Sequence, residues 1–335
     1  RIPKKRGPCS SFRRTSPPKS GERGFLKRIP VSRDWSGRPV WLSPYFLLTL
    51  TALFWAGNSV VGRALHESVP PVTLAFWRWS IALLLLLPWI VLPLWRQRRI
   101  IVSHWKVMLL LSVLGVATYN TLNYTALQTT TATNSALINS ACTVMIIVVN
   151  FIMFRVHASA RQWTGVAVSL AGTLVIVGRG DVTLLLGLEL VRGDVLLLFL
   201  ALFWALYTAC LRWRPRDLDG LGFLGATIVI GLLILAPLYC WEALNSDPVT
   251  FSPGVIAGVG YTGIFPSVLA YLFWNQGVAE VGANRAGQFL NLVPVFGTLL
   301  AMVFLGEVLR LFHVAGALLI FAGIYLATAR KADEA

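Results

Sequence analysis

Apolar runs of about 20 residues recur along this chain, divided by short stretches that hold most of its charge. At a rise of 1.5 Å per residue, such a run wound as an α-helix is about 30 Å long and matches the hydrocarbon core of a bilayer. A helix is also the form in which one segment satisfies all its backbone polar groups without water. Spans are expected at 44–63, 72–93, 105–126, 131–154, 161–178, 193–212, 221–241, 253–274, 283–305 and 311–329. Composition agrees, with 56% of the 335 residues hydrophobic and 13% charged, against about 25% charged in a soluble domain. The sequence therefore predicts an all-α integral membrane protein with ten transmembrane helices.

The formal net charge of +15 suggests a nucleic-acid partner until it is divided along the chain. Residues 1–42 hold 12 Lys or Arg against Glu22 and Asp34 and so carry +10 of it. Rich in Arg, Lys, Ser, Pro and Gly and without apolar period, they have the composition of a disordered basic tail. The chain starts at Arg1 and has its first methionine at Met108. The tail is thus read either as a real cytoplasmic extension or as translation begun upstream of the true start. Neither reading makes nucleic acid a partner. The expected partners are a small-molecule solute and the lipid bilayer, and nothing in the pattern sets an oligomeric state. With the amino end inside, the inner loops and carboxyl tail gather twelve Lys or Arg, against Arg63, Arg179, Arg192 and Arg310 outside. That asymmetry predicts a membrane protein with both termini cytoplasmic. The cysteines Cys9, Cys142, Cys210 and Cys240 show no metal spacing and read as small packing residues.

The two halves repeat. Leu53-Phe54-Trp55-Ala56 returns as Leu202-Phe203-Trp204-Ala205 at an offset of 149, Asn134 matches Asn284 at 150, and Gly165 and Gly172 match Gly316 and Gly323 at 151. Five spans in each copy, 44–178 and 193–329, is an odd number, so the second copy enters the membrane in the opposite sense. Inverted repeats of this kind place a site near the midplane that each side of the membrane reaches in turn.

Polar side chains inside the spans are the candidates for function, because lipid rejects amides that lack a partner or a watered cavity. Asn284, Gln288 and Asn291 stand at i, i+4 and i+7, on one helix face. Trp55 and Asn58 in the first span, with Trp204, Tyr207 and Thr208 in the sixth, place aromatic and polar groups on both sides of the pseudo-axis. Asn120, Asn123 and Tyr124 lie in the third span, and Asn139, Thr143 and Asn150 share a face of the fourth. Each set is open to two readings, bonding between helices or lining a solute path. Pro266 and Pro294 each remove a backbone donor and loosen a helix at depth. Arg78 is the one cation well inside a span, and either snorkels outward beside Trp77 and Trp79 or meets an anionic substrate group. Glu307, near the outer end of the ninth span, is the other possible charge site. No catalytic constellation, metal motif or cofactor-binding loop is present, and the four histidines lie apart, so an enzyme is not expected and no cofactor is implied.

These residues resemble a known pattern, the drug/metabolite transporter superfamily in its EamA-like branch. The resemblance rests on Phe54-Trp55-Ala56-Gly57-Asn58, on Phe76-Trp77-Arg78-Trp79 after Pro70-Pro71, and on Tyr124-Thr125-Ala126-Leu127. It is strongest in Asn291-Leu292-Val293-Pro294-Val295-Phe296 and Phe304-Leu305-Gly306-Glu307, followed by Gly316 and Gly323. It implies two five-helix repeats around a cavity lined by the first, third and fourth helices of each half. By position, that sets Trp55, Asn58, Asn120, Tyr124 and Asn139 opposite Trp204, Tyr207, Trp274, Gln288 and Asn291 as substrate-binding residues. The chain departs from the pattern at Val144 and His157, where the second half has Pro294 and Glu307. The resemblance further implies a transporter that exports amino acids or related metabolites by alternating access. The nearest rival is a multidrug exporter of the same fold, and a membrane enzyme or a scaffold is more distant.

Overall fold

The computed structural model describes residues 43–130, 132–187, 191–305 and 308–329. The tail 1–42, Glu307 and the side chain of Asn139 lie outside the described residues. Ten helices follow in order: α1 Pro44–Leu65, α2 Pro71–Ser103, α3 Trp105–Thr129, α4 Ala132–Phe154, α5 Ala160–Val177, α6 Arg192–Trp213, α7 Gly220–Asn245, α8 Pro253–Val281, α9 Ala283–Phe304 and α10 Leu311–Thr328. Among the described residues nine of these are long and apolar enough to cross a membrane, and in α4 the apolar part is the shorter Ser140–Phe154. No strand occurs among the described residues.

Helix starts follow local chemistry. Proline opens α1, α2 and α8, where its missing N–H is not needed. Ser159, Asp219 and Ser252 accept backbone N–H bonds at the heads of α5, α7 and α8. Asp181 caps the one-turn helix Val182–Leu186, and the Thr183 hydroxyl and amide that bond to it hold its carboxyl below the usual carboxylate range.

The helices depart from their expected bounds in informative ways. The span expected at 72–93 continues to Ser103, because Pro88 and Pro93 each remove one donor while the bonds on either side persist. Arg98 then bonds to the Trp95 carbonyl at 2.7 Å instead of lying in a loop. Two helices widen to π geometry, α3 at Val113–Thr118 and α8 at Gly263–Leu269. These stretches match at an offset of 150, yet only the second contains a proline, Pro266. The widening therefore belongs to the repeat and not to proline alone. In α9 the chain tightens to a 3-10 turn at Gln288–Asn291, just before Pro294 withholds its donor.

The repeats pack about a pseudo-twofold axis. Glycines make α5 and α10 touch backbone to backbone: a Cβ on Gly165 would lie 2.5 Å from the Gly323 carbonyl oxygen, and one on Gly172 would lie 2.6 Å from that of Gly316. Exchanging the repeats turns one of these contacts into the other. The α2–α7 pair behaves in the same way at an offset of 149. Gly225 lies against Ile90, and the equivalent positions, Phe76 and Tyr239, stack with ring centroids 4.3 Å apart. Contact of α6 with α3 and α4 is mirrored by contact of α1 with α8 and α9. All these helices meet around one interior that both copies line.

Candidate functional site

Arg78 sits about one-quarter of the way along α2 and is buried at 1% exposure. Its Nε donates to Ser267 Oγ at 2.7 Å. Nη1 donates to Asn120 Oδ1 and to the Tyr124 hydroxyl, both at 2.7 Å, with Asn58 Oδ1 at 3.2 Å. The Tyr124 hydroxyl donates in turn to Asn58 Oδ1 at 2.8 Å. Four helices, α1, α2, α3 and α8, thus converge on one guanidinium. Every partner is neutral, and among the described residues no carboxylate pairs with it. A cation this deep costs about 2.5–3.5 kcal/mol on insertion scales, which hydrogen bonds to neutral oxygens offset only in part.

The outward, snorkelling reading of Arg78 fails on helix geometry. Trp77 and Trp79 stand two residues apart, about 200° around a helix of 3.6 residues per turn, so they cannot both face lipid. Trp77 is 38% exposed, whereas Trp79 is wholly buried and donates Nε1 to the Val116 carbonyl at 3.1 Å. Arg78 faces the same way as Trp79, with its Cζ 5.3 Å from that ring.

One turn below Asn58, Trp55 begins an aromatic centre. Its ring lies 4.9 Å from Trp204 and 5.2 Å from Trp274, and those two lie 5.5 Å apart. Tyr119, Tyr207 and Tyr271 surround them. The π stretches shape this layer by presenting backbone acceptors: Tyr271 donates its hydroxyl to the Gly115 carbonyl in α3, and Trp55 donates Nε1 to the Pro266 carbonyl in α8. Where the sequence led us to expect rings walling an open hollow, the rings touch, so the centre is closed. Polar atoms of α6, α8 and α9 are nevertheless buried without partners. Trp204 Nε1, Trp274 Nε1, Thr208 Oγ1, Asn275 Nδ2 and both amide atoms of Gln288 are buried without a hydrogen-bond partner. Leaving such an atom unpaired costs about 1–3 kcal/mol.

The stripe Asn284, Gln288 and Asn291 divides in two. Asn291 donates to Ser169 Oγ at 2.8 Å and receives Thr143 Oγ1 at 3.4 Å, and Asn284 receives Asn150 Nδ2 at 2.8 Å. Those two amides tie α9 to α4 and α5. Gln288, between them and fully buried, bonds to nothing described. The structure thus gathers Asn58, Asn120 and Tyr124 at Arg78, brings Trp55, Trp204, Tyr207 and Trp274 together at the centre, and leaves Gln288 and Asn291 on the α9 side. Ser267, Trp79, Tyr119 and Tyr271 complete these layers and were not among the expected site residues.

Two hollows open at the α1–α2 end of the bundle. One, of about 370 Å³, is largely apolar and lies among Trp77, Ile81, Tyr239 and Val259. The other, of about 890 Å³, is polar and lies among His66, Glu67, Asn245 and Asp247. Neither reaches the aromatic centre. No group of three His, Cys, Asp or Glu suited to a metal occurs among the described residues.

The model of the EamA-like transporter family matches residues 42–178 and again 191–329. An uncharacterized transporter of Archaeoglobus fulgidus is 28% identical over 294 residues, covering 86% of this chain and 98% of its own. The Bacillus subtilis uncharacterized transporter YyaM is 26% identical, covering 86% of this chain and 94% of its own. A solved crystal structure superposes with a TM-score of 0.67 at 18% identity, over 84% of this chain and 95% of that one, a likeness of fold.

Proposed function

Because the chain belongs to the EamA-like transporter family, we propose that it carries amino acids or related small metabolites outward across the inner membrane, through the closed centre between its repeats. The observation that carries this reading is the set of unpaired polar atoms on Trp204, Trp274, Thr208, Asn275 and Gln288, buried where both copies meet. A lipid-facing or purely structural interior gains nothing from them, whereas a solute with donors and acceptors satisfies them on entry. The substrate-binding residues are Trp55, Asn58, Asn120, Tyr124, Asn139, Trp204, Tyr207, Trp274, Gln288 and Asn291. Asn291 serves in part by fixing α9 to α5.

Movement follows alternating access. The repeats rock about the π stretches, the second of which holds Pro266, and about the 3-10 turn before Pro294, where helical bonding is already irregular. Both termini lie on the cytoplasmic side, and the α1–α2 end with its two hollows faces outward. A multidrug exporter is the second reading, favoured by the aromatic cluster. It is disfavoured for lipophilic cations by the charge of Arg78.

The test is flux in proteoliposomes holding the full chain, with a competition screen of radiolabelled amino acids. Trp55→Ala and Gln288→Leu are expected to lower transport at least about tenfold, each removing a contact worth about 1.4 kcal/mol or more at the transition state. Unchanged flux in both variants overturns the placement of the site.

A further inference from the structure

We propose that Arg78 is the receptor for a carboxylate on the transported solute, so that the substrates are acids or zwitterions with an apolar or aromatic side chain. This inference rests on the transport reading above and specifies its substrate class. Three observations carry it.

The first is the incomplete coordination of the guanidinium. Its hydrogen bonds leave from Nε and Nη1, and Nη2 donates to none of the described residues. A planar fork with one free prong, buried at 1% exposure, is matched in shape and charge by a carboxylate. Buried charges are normally paired, and the described residues supply only neutral oxygens here, which leaves the anion's place to a ligand.

The second is the absence of this nest from the other repeat. At offsets of 149 to 150, Arg78, Asn58, Asn120, Tyr124 and Ser267 are answered by Thr227, Tyr207, Ala270, Trp274 and Ala117. The α5–α10 glycines are a support that both copies keep. The Arg78 group occurs in one copy only, so it belongs to what distinguishes the repeats and not to what they share.

The third is what lies next to it. Asn58 and Trp55 are three residues apart on α1, about 4.5 Å along the axis, so the charge nest and the aromatic centre are adjacent layers. A carboxylate at Arg78 directs a side chain one turn down, among Trp55, Trp204 and Trp274. The same charge rejects lipophilic cations.

The experiment compares competitors in proteoliposomes holding the full chain: leucine, phenylalanine and tryptophan against the corresponding amino-acid amides, with the radiolabelled acid as tracer. The free acids are expected to compete roughly 100-fold better than the amides, the effect of losing a charge-assisted bond to a buried donor. Arg78→Gln is expected to abolish that ratio, and Arg78→Lys to raise KM while largely keeping the maximal rate. If Arg78→Gln does not fold, the ratio measured on the native chain decides alone. Equal competition by acid and amide overturns the carboxylate receptor and leaves the transport reading standing. No flux of any labelled amino acid overturns both.

Discussion

The α5–α10 crossing and the Arg78 nest lie in the same bundle and obey opposite rules. At the crossing, Gly165 meets the carbonyl of Gly323 and Gly172 that of Gly316, and exchanging the copies turns one contact into the other. At the nest, exchange replaces an arginine, two asparagines, a tyrosine and a serine with groups that hold no cation. The difference separates what a duplicated fold needs to stand from what it needs to choose a solute. Backbone proximity is kept in both copies because either glycine, given a side chain, would push the helices apart. Charge is kept in one copy because a single carboxylate needs a single receptor.

The crossing gives the largest expected effects. Gly165→Leu or Gly316→Leu sets a Cβ 2.5 or 2.7 Å from a carbonyl oxygen that cannot move aside, and each is expected to lose about 3 kcal/mol or more in thermal unfolding in detergent. Symmetry requires the two losses to be alike, and a large inequality would break the comparison. The nest is expected to be unequal. Arg78→Gln removes bonds to Ser267, Asn120 and Tyr124, with a stability loss of about 2 kcal/mol and an acid affinity lowered to that of the amides. Thr227→Ala at the matching position loses only a bond to the Leu224 carbonyl and is expected to change stability by about 1 kcal/mol and flux hardly at all.

Within α9 the comparison sharpens over three residues. Asn291→Leu breaks the bonds to Ser169 and Thr143 and is expected to cost about 1–2 kcal/mol, from two interhelical bonds of about 0.6 each and some loss of packing. Gln288→Leu breaks no bond, so the melting temperature is expected to hold or rise while flux falls. Small as well, Tyr207→Phe loses its bond to Asn275 Oδ1, about 1 kcal/mol, and melting curves would register it as a shift of a few degrees.

Much of the fold was legible in the sequence because bilayer thickness sets a length that apolar runs either reach or miss. The offset of 149 to 151 carried the repeat, though not which glycine touches which. Other features depend on partners distant in the chain. Gln288 and Asn291 look alike on one helix face, and only Ser169 of α5, opposite, separates the bonded amide from the free one. Trp79 reads as an interface residue until helical phase is applied to its neighbour Trp77. The inward aim of Arg78 depends on Asn58, Asn120, Tyr124 and Ser267, drawn from three other helices. The π stretches leave no mark that composition reveals, since Val113–Thr118 widens without a proline.

The account depends on a closed centre that opens to water during the cycle. Thiol labelling tests this most directly, using Gln288→Cys in a full chain whose Cys9, Cys142, Cys210 and Cys240 are replaced by alanine, reconstituted and exposed to a membrane-impermeant reagent. The prediction is measurable labelling that saturating transported acid slows severalfold. A thiol at 288 that stays inert from both faces, with and without that acid, would contradict it.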